Sequence, residues 1–245
     1  MFPVAQVGPF AVQMPGLILL GGLWIGLYLS EQALPRRRNA ITAAQLNNLV
    51  FTALLVGLIG ARLGYVFRFP SAFAQSPLSL ISLNPDLLEP WIGLFTAAIA
   101  AVVYGQRNGL TLLPTLDALT PLLAAFSIVW HLSQLASGAG YGLPSDLPWA
   151  INLLGANRHP TQIYDALASL VILAIIWSRR KQFETTPGQT FFAFVVLSAG
   201  ARLLLDAFDA AGPALATGWR VSQIAAWAIL FAGLLFLRRL KFQGE

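Results

Sequence analysis

Arg202, Asp206 and Asp209 stand four and seven residues apart at the end of an otherwise apolar stretch, AGARLLLDAF and the residue after it. In a helix this spacing puts all three on one face. A guanidinium there is permanently charged and can grip a phosphate through two parallel hydrogen bonds. A buried Arg–Asp pair also serves simply to hold helices in register, and the spacing of Arg202 and Asp206 leaves both readings open. Other costly groups lie in or beside apolar runs: Arg62, His131 and Gln134, then Arg158, His159, Gln162, Tyr164 and Asp165, then Arg220 and Gln223. Singly, each has an ordinary explanation. Arg62 can snorkel to head groups, and His131 can be a satisfied polar residue. Jointly, the arginines suggest a site for an anionic head group, but no reaction.

Metal chemistry is not expected. His131 and His159 lack zinc-site spacing, and with no cysteine the chain has no thiolate ligand, disulfide or cysteine nucleophile of its own. No cofactor is called for.

The elements that must position these groups follow from composition. Of 245 residues, 57% are hydrophobic and only 10% charged, with a mean hydropathy of +0.69. Soluble domains carry roughly 25% charged residues, so this chain cannot cover a water-facing surface. Long continuous apolar runs point to an all-α integral membrane protein, because helices satisfy their own backbone hydrogen bonds in lipid. About seven spans are predicted, near 12–29, 46–67, 91–104, 112–135, 162–177, 191–208 and 221–237, in one polytopic domain over residues 1–245. The first ten residues carry no positive charge, so a cleavable signal peptide is not expected.

The net charge of +5 does not point to nucleic acid, because the basic residues gather in alternate loops. One set holds Arg36–Arg37–Arg38, Arg107, Arg179–Arg180–Lys181, and Arg238, Arg239 and Lys241; the opposite set holds only Arg68, Arg158 and Arg220. The positive-inside rule then predicts an outside N-terminus and an inside C-terminus. On that topology the polar groups of five helices meet at the outer leaflet, and only Asp117 falls on the inner side. Two external loops, about 68–90 and 136–161, are too long for simple connectors. Gly22…Gly26 and Gly60…Gly64 have the spacing of close helix packing. No internal repeat supports a transporter.

Specific strings sharpen this. GARLGYV at 60–66, LDALTP at 116–121, RHPTQIYDA at 158–166 and GARLLLDAF at 200–208, followed by Ser222–Gln223, resemble the bacterial prolipoprotein diacylglyceryl transferase family in order and spacing. The resemblance implies a multi-pass enzyme of the bacterial plasma (inner) membrane with its active side towards the outer leaflet. It would move diacylglycerol from phosphatidylglycerol to the lipobox cysteine thiol beside a prolipoprotein signal peptide, releasing glycerol phosphate. His159 and His131 are then the candidate bases, with Tyr164 and Asp165 positioning them. Arg62, Arg158 and Arg202 would hold the phospholipid, Asp206 would hold Arg202, and Gln134 and Gln162 would add head-group contacts. The chain also departs from the family pattern. Trp91 stands where a histidine falls, Pro15 where a tyrosine falls, and Asn48 where an acidic residue falls. His131, Gln134 and Ala139 replace an arginine, an asparagine and a glutamate, and Asp209 replaces a second arginine. The alternative is a lapsed enzyme that keeps the fold and binds phospholipid and signal peptide without turnover.

Overall fold

The computed structural model describes residues 4–7, 10–34, 41–75, 87–183, 186–210 and 220–243. Among the described residues eight helices dominate: α1 (Met14–Ala33), α2 (Ala43–Arg68), the short α3 (Pro70–Gln75), α4 (Pro90–Arg107), α5 (Leu112–Ser137), α6 (Thr161–Phe183), α7 (Gln189–Leu205) and α8 (Val221–Gln243). Among the described residues, α1, α2, α5, α6, α7 and α8 contain spans long and apolar enough to cross a membrane. The chain is an all-α integral membrane protein. Helix α4 falls outside that set: it has 18 residues, and Gln106 and Arg107 occupy its last turn.

Burial runs in the direction lipid demands. Asp206 is 1% exposed while Leu204, two residues earlier, is 74% exposed. Ser30, Thr120 and Gln162 are fully buried, whereas Trp24, Phe67 and Trp91 face outwards. In hydrocarbon an outward Leu costs nothing and an outward carboxylate costs several kcal/mol, roughly the reverse of water.

The chain divides into two compact units, Arg37–Thr115 and, jointly, Met1–Arg36 with Leu116–Glu245. In the first, α2 packs on α4 through a seam of small residues. A side chain at Gly60 would collide with Thr96, and a Cβ at Gly57 or Gly64 would crowd Ala97 or Ile92. Such close approach strengthens dispersion between helices, which lipid otherwise does nothing to drive together. Thr42 and Gln45 close the start of α2 with a reciprocal capping box.

In the larger unit, α1 meets α5 along positions spaced by four. Gly22 lies against Val129 and Gly26 against Leu122. One turn on, Ser30 Oγ accepts a hydrogen bond from Leu122 N at 2.9 Å. Pro121 lies inside α5 and cannot supply an N–H, so the helix ladder is interrupted there. Ser30 takes up the neighbouring donor. Asp117, the charge that sequence reading placed alone on the inner side, caps α7: its oxygens accept Gly188 N at 2.5 Å and Phe191 N at 2.9 Å. A carboxylate at a helix N-terminus satisfies orphan amides and the positive end of the dipole.

Three details differ from the sequence expectation. The first span does not begin at Val12, because Val12 pairs with Ala5 in a hairpin, β1 (Val4–Val7) with β2 (Phe10–Gln13). The external segment after Arg68 begins with helix α3, while residues 76–86 of it, like Arg36–Arg38, lie outside the described residues. The 136–161 segment contains a second hairpin, β3 (Ile151–Leu153) with β4 (Ala156–Arg158). Leu154 and Gly155 turn it with φ of +52° and +78°, the mirror-image geometry that suits a two-residue hairpin.

Candidate functional site

The larger unit brings together the polar residues of α5, α6, α7 and α8. Arg202 is the hub. Its Nη2 donates to Asp209 Oδ2 at 2.7 Å and lies 3.1 Å from Asp206 Oδ1, and its Nη1 lies 3.7 Å from Asp165 Oδ2. The same oxygen of Asp165 is 3.8 Å from His131 Nδ1. The chain of contact thus runs from the imidazole on α5, through the carboxylate on α6, to the guanidinium on α7.

The end of α7 explains how Asp206 and Asp209 are held. A 3-10 turn over Asp206–Phe208 follows the helix. Ser222 Oγ donates to Asp206 Oδ1 at 2.8 Å, and Arg220 Nη1 donates to the carbonyls of Asp206, at 3.0 Å, and Asp209. Arg220 therefore adds a second donor to the Asp206 carbonyl, which already accepts Asp209 N, and pairs the Asp209 carbonyl beyond the helix end. Its guanidinium works on the backbone. The Ser222–Gln223 string was the sequence signal for this, but nothing in the spacing pointed to a link with Asp206.

His159 and Tyr164 form a second, neighbouring group. His159 Nδ1 lies 3.4 Å from the Tyr164 hydroxyl, which accepts a 2.8 Å hydrogen bond from Trp149 Nε1. Phe208 packs against both rings. Trp149 reads from sequence as an interfacial aromatic, and its link to Tyr164 was not foreseeable from spacing. Tyr164 and Asp165 are adjacent in α6, so they point about 100° apart and serve the two groups separately.

The loop that carries His159 is stitched to the end of α7. Leu143 N donates to Phe208 O at 2.9 Å, His159 N to Leu143 O at 3.0 Å, and Ala210 N to Tyr141 O at 3.2 Å. Gly142 lies between these strands, where a Cβ would collide with the carbonyls of His159 and Phe208. Arg158 donates through Nε to Leu153 O at 3.2 Å and through Nη1 to Gly142 O at 3.3 Å, with Tyr141 beneath its guanidinium. Two of its five donors are spent on the loop. Gln162 Nε2 donates to Ala139 O at 2.7 Å, and Thr161 Oγ1 to Gly140 O at 2.8 Å, fixing the turn after α5. Gln134 lies beside that turn, against Gly140. Arg62 belongs to the other unit, where it donates to Leu87 O at 2.9 Å and lies over Phe73.

Three buried polar atoms near these contacts have no hydrogen-bond partner among the described residues: His131 Nδ1, Gln162 Oε1 and Asp206 Oδ2. The His131 side chain is nonetheless 21% exposed, so the open part of the ring is the part away from Nδ1. Chemically this is an imidazole backed by a carboxylate on its closed side.

The model of the prolipoprotein diacylglyceryl transferase family matches residues 3–239. The chain belongs to that family. Among similar proteins is the phosphatidylglycerol–prolipoprotein diacylglyceryl transferase of Methylococcus capsulatus, 30% identical over 96% of this chain and 94% of the relative. The proteins of that name from Rhizobium leguminosarum and Finegoldia magna are each 26% identical, over 99% and 93% of this chain and 93% and 91% of their own. Three of the residues that depart from the resemblance have clear surroundings. His131 and Asp209 stand inside the ion-pair chain, whereas Trp91 is 77% exposed at the start of α4.

Proposed function

We propose that this chain is a working diacylglyceryl transferase that moves diacylglycerol from phosphatidylglycerol to the lipobox cysteine thiol of a prolipoprotein. The single observation that carries the reading is Asp165, which lies at ion-pair distance from both His131 and Arg202. The thiol must lose a proton, and the departing phosphate must gain a counter-charge. One carboxylate is in reach of a group suited to each task.

In the proposed step, His131 takes the thiol proton on the nitrogen facing away from Asp165. The sulfur attacks the terminal glycerol carbon of the diacylglycerol, the carbon–oxygen bond to phosphate breaks, and a thioether forms. Glycerol phosphate leaves with the bond's electron pair and can accept the proton from the imidazolium. Asp165 stabilises that imidazolium. As it does so, its hold on Arg202 weakens, and Nη1 becomes free to meet charge growing on the leaving oxygen. Three carboxylates around Arg202 would oppose phosphate binding at rest, so this exchange gives the clamp a trigger. His159, with Tyr164 and Trp149, forms an aromatic wall suited to orienting a substrate. Its hydroxyl partner supports an imidazolium less than a carboxylate does.

We further propose a bacterial inner-membrane location with the N-terminus outside, α4 crossing as a seventh, shorter span, and the site at the outer leaflet. The concentration of basic residues in alternate loops supports this orientation. The lapsed-enzyme reading draws on Arg158, which spends two of its five donors on loop carbonyls. One assay separates the two. Protein purified in detergent is incubated with phosphatidylglycerol and a lipobox peptide. A diacylglyceryl mass increase that disappears in Arg202→Ala supports the transferase; phosphatidylglycerol retained without any increase supports the binder.

A further inference from the structure

Beyond the glycine seam, the α2–α4 pair of the Arg37–Thr115 unit opens a groove of about 390 Å³. Its α4 wall carries Ile99, Val103, Tyr104 and Arg107, and its α2 wall Thr52 and Val56. Ile99, Val103 and Val56 are exposed apolar side chains. Lining positions on α4 run from Thr96 to Arg107, a span of roughly 16 Å at 1.5 Å per residue. That is close to half of a hydrocarbon core of roughly 30 Å, the depth of one leaflet. At the end of the groove Arg107 is exposed, and no carboxylate among the described residues pairs with it.

We propose that this groove holds one acyl chain of an anionic phospholipid, with the lipid phosphate on Arg107. The walls match a chain: apolar, lipid-facing and one leaflet long. Charge complementarity selects the head group, because an unpaired guanidinium at the head-group level grips phosphate bidentately and favours a lipid with net negative charge. The site lies wholly within α2 and α4 and shares no residue with the Arg202 contacts. It needs the membrane-embedded fold but not the transferase reaction. With the orientation proposed above, it belongs to the cytoplasmic leaflet.

The test uses the full chain in phosphatidylcholine nanodiscs doped with phosphatidylglycerol that carries a photoactivatable diazirine midway along one chain. Cross-links read by peptide mass spectrometry are expected to concentrate on Val56, Ile99 and Val103. Excess unlabelled phosphatidylglycerol should compete them away, and phosphatidylcholine should not. Arg107→Gln is expected to lower labelling about five-fold, the worth of one basic residue at an anionic surface, with Arg107→Lys retaining most of it. Val103→Trp fills the groove and should abolish labelling without touching the charge. Arg202→Ala should leave labelling intact, so this proposal and the transferase reading fail separately. Equal labelling by a phosphatidylcholine probe, labelling spread evenly over the outer faces of α1 and α8, or an Arg107→Gln variant labelled like the wild type would each overturn it.

Discussion

Asp165 Oδ2 lies 3.8 Å from His131 Nδ1, joining α6 to α5 through an imidazole and a carboxylate. The two are 34 residues apart in the chain, and neither apolar run predicts the pairing. If this carboxylate stabilises the imidazolium formed as the thiol loses its proton, its charge matters and its shape does not. Asp165→Asn keeps the shape. We expect it to lower kcat at least about tenfold while leaving the affinity for phosphatidylglycerol near that of the wild type. A variant with unchanged kcat would remove Asp165 from the proton path.

Arg202 spreads three carboxylate contacts over two nitrogens. A lysine keeps the charge but loses the planar fork. Arg202→Lys should therefore fold and stay in the membrane, yet lose most turnover, measured as the diacylglyceryl mass increase on a lipobox peptide. Full activity in the lysine variant would mean that only a positive charge is needed there.

The charged groups themselves were legible in the sequence, because each is expensive inside an apolar span. Arg202, Asp206 and Asp209 are expected on one helical face, and the structure joins them. But α7 ends at Leu205, and a 3-10 turn with extended backbone at Asp209, not helical spacing, brings the last carboxylate to Arg202. Their relations to other helices were not legible. Ser222 on Asp206, Asp165 between His131 and Arg202, and Trp149 on Tyr164 are tertiary contacts that no period encodes. The glycine seams were read as packing, and Gly22, Gly26 and Gly60 do sit under Val129, Leu122 and Thr96. The β1–β2 hairpin was missed because its residues are as apolar as the span that follows.

Asp117 illustrates a charge whose explanation is structural. Its oxygens cap the start of α7 through Gly188 and Phe191, so Asp117→Ala leaves two amide donors unpaired. We expect a loss of roughly 2–3 kcal/mol, seen as a lower midpoint of thermal unfolding in detergent, with kcat of the remaining folded protein unchanged. A variant as stable as the wild type would show that water or another group caps α7 equally well.

Leu154 holds a left-handed backbone, φ +52°, with its side chain 72% exposed. It therefore carries backbone strain without compensating burial. Leu154→Asn suits a mirror-image turn and should stabilise the β3–β4 hairpin by about 1 kcal/mol. Slower proteolysis of the 136–161 segment would register the gain; unchanged or faster cleavage would contradict it.

In the proposed reaction His131, at a position where the resemblance implies an arginine, serves as the base. The most direct measurement compares purified wild-type protein with His131→Gln under saturating phosphatidylglycerol and lipobox peptide, reading kcat from the diacylglyceryl mass increase and lipid binding in parallel. We expect turnover by the wild type, and a fall in kcat of about a hundredfold or more in the variant, with lipid binding retained. A His131→Gln enzyme that turns over like the wild type would contradict it.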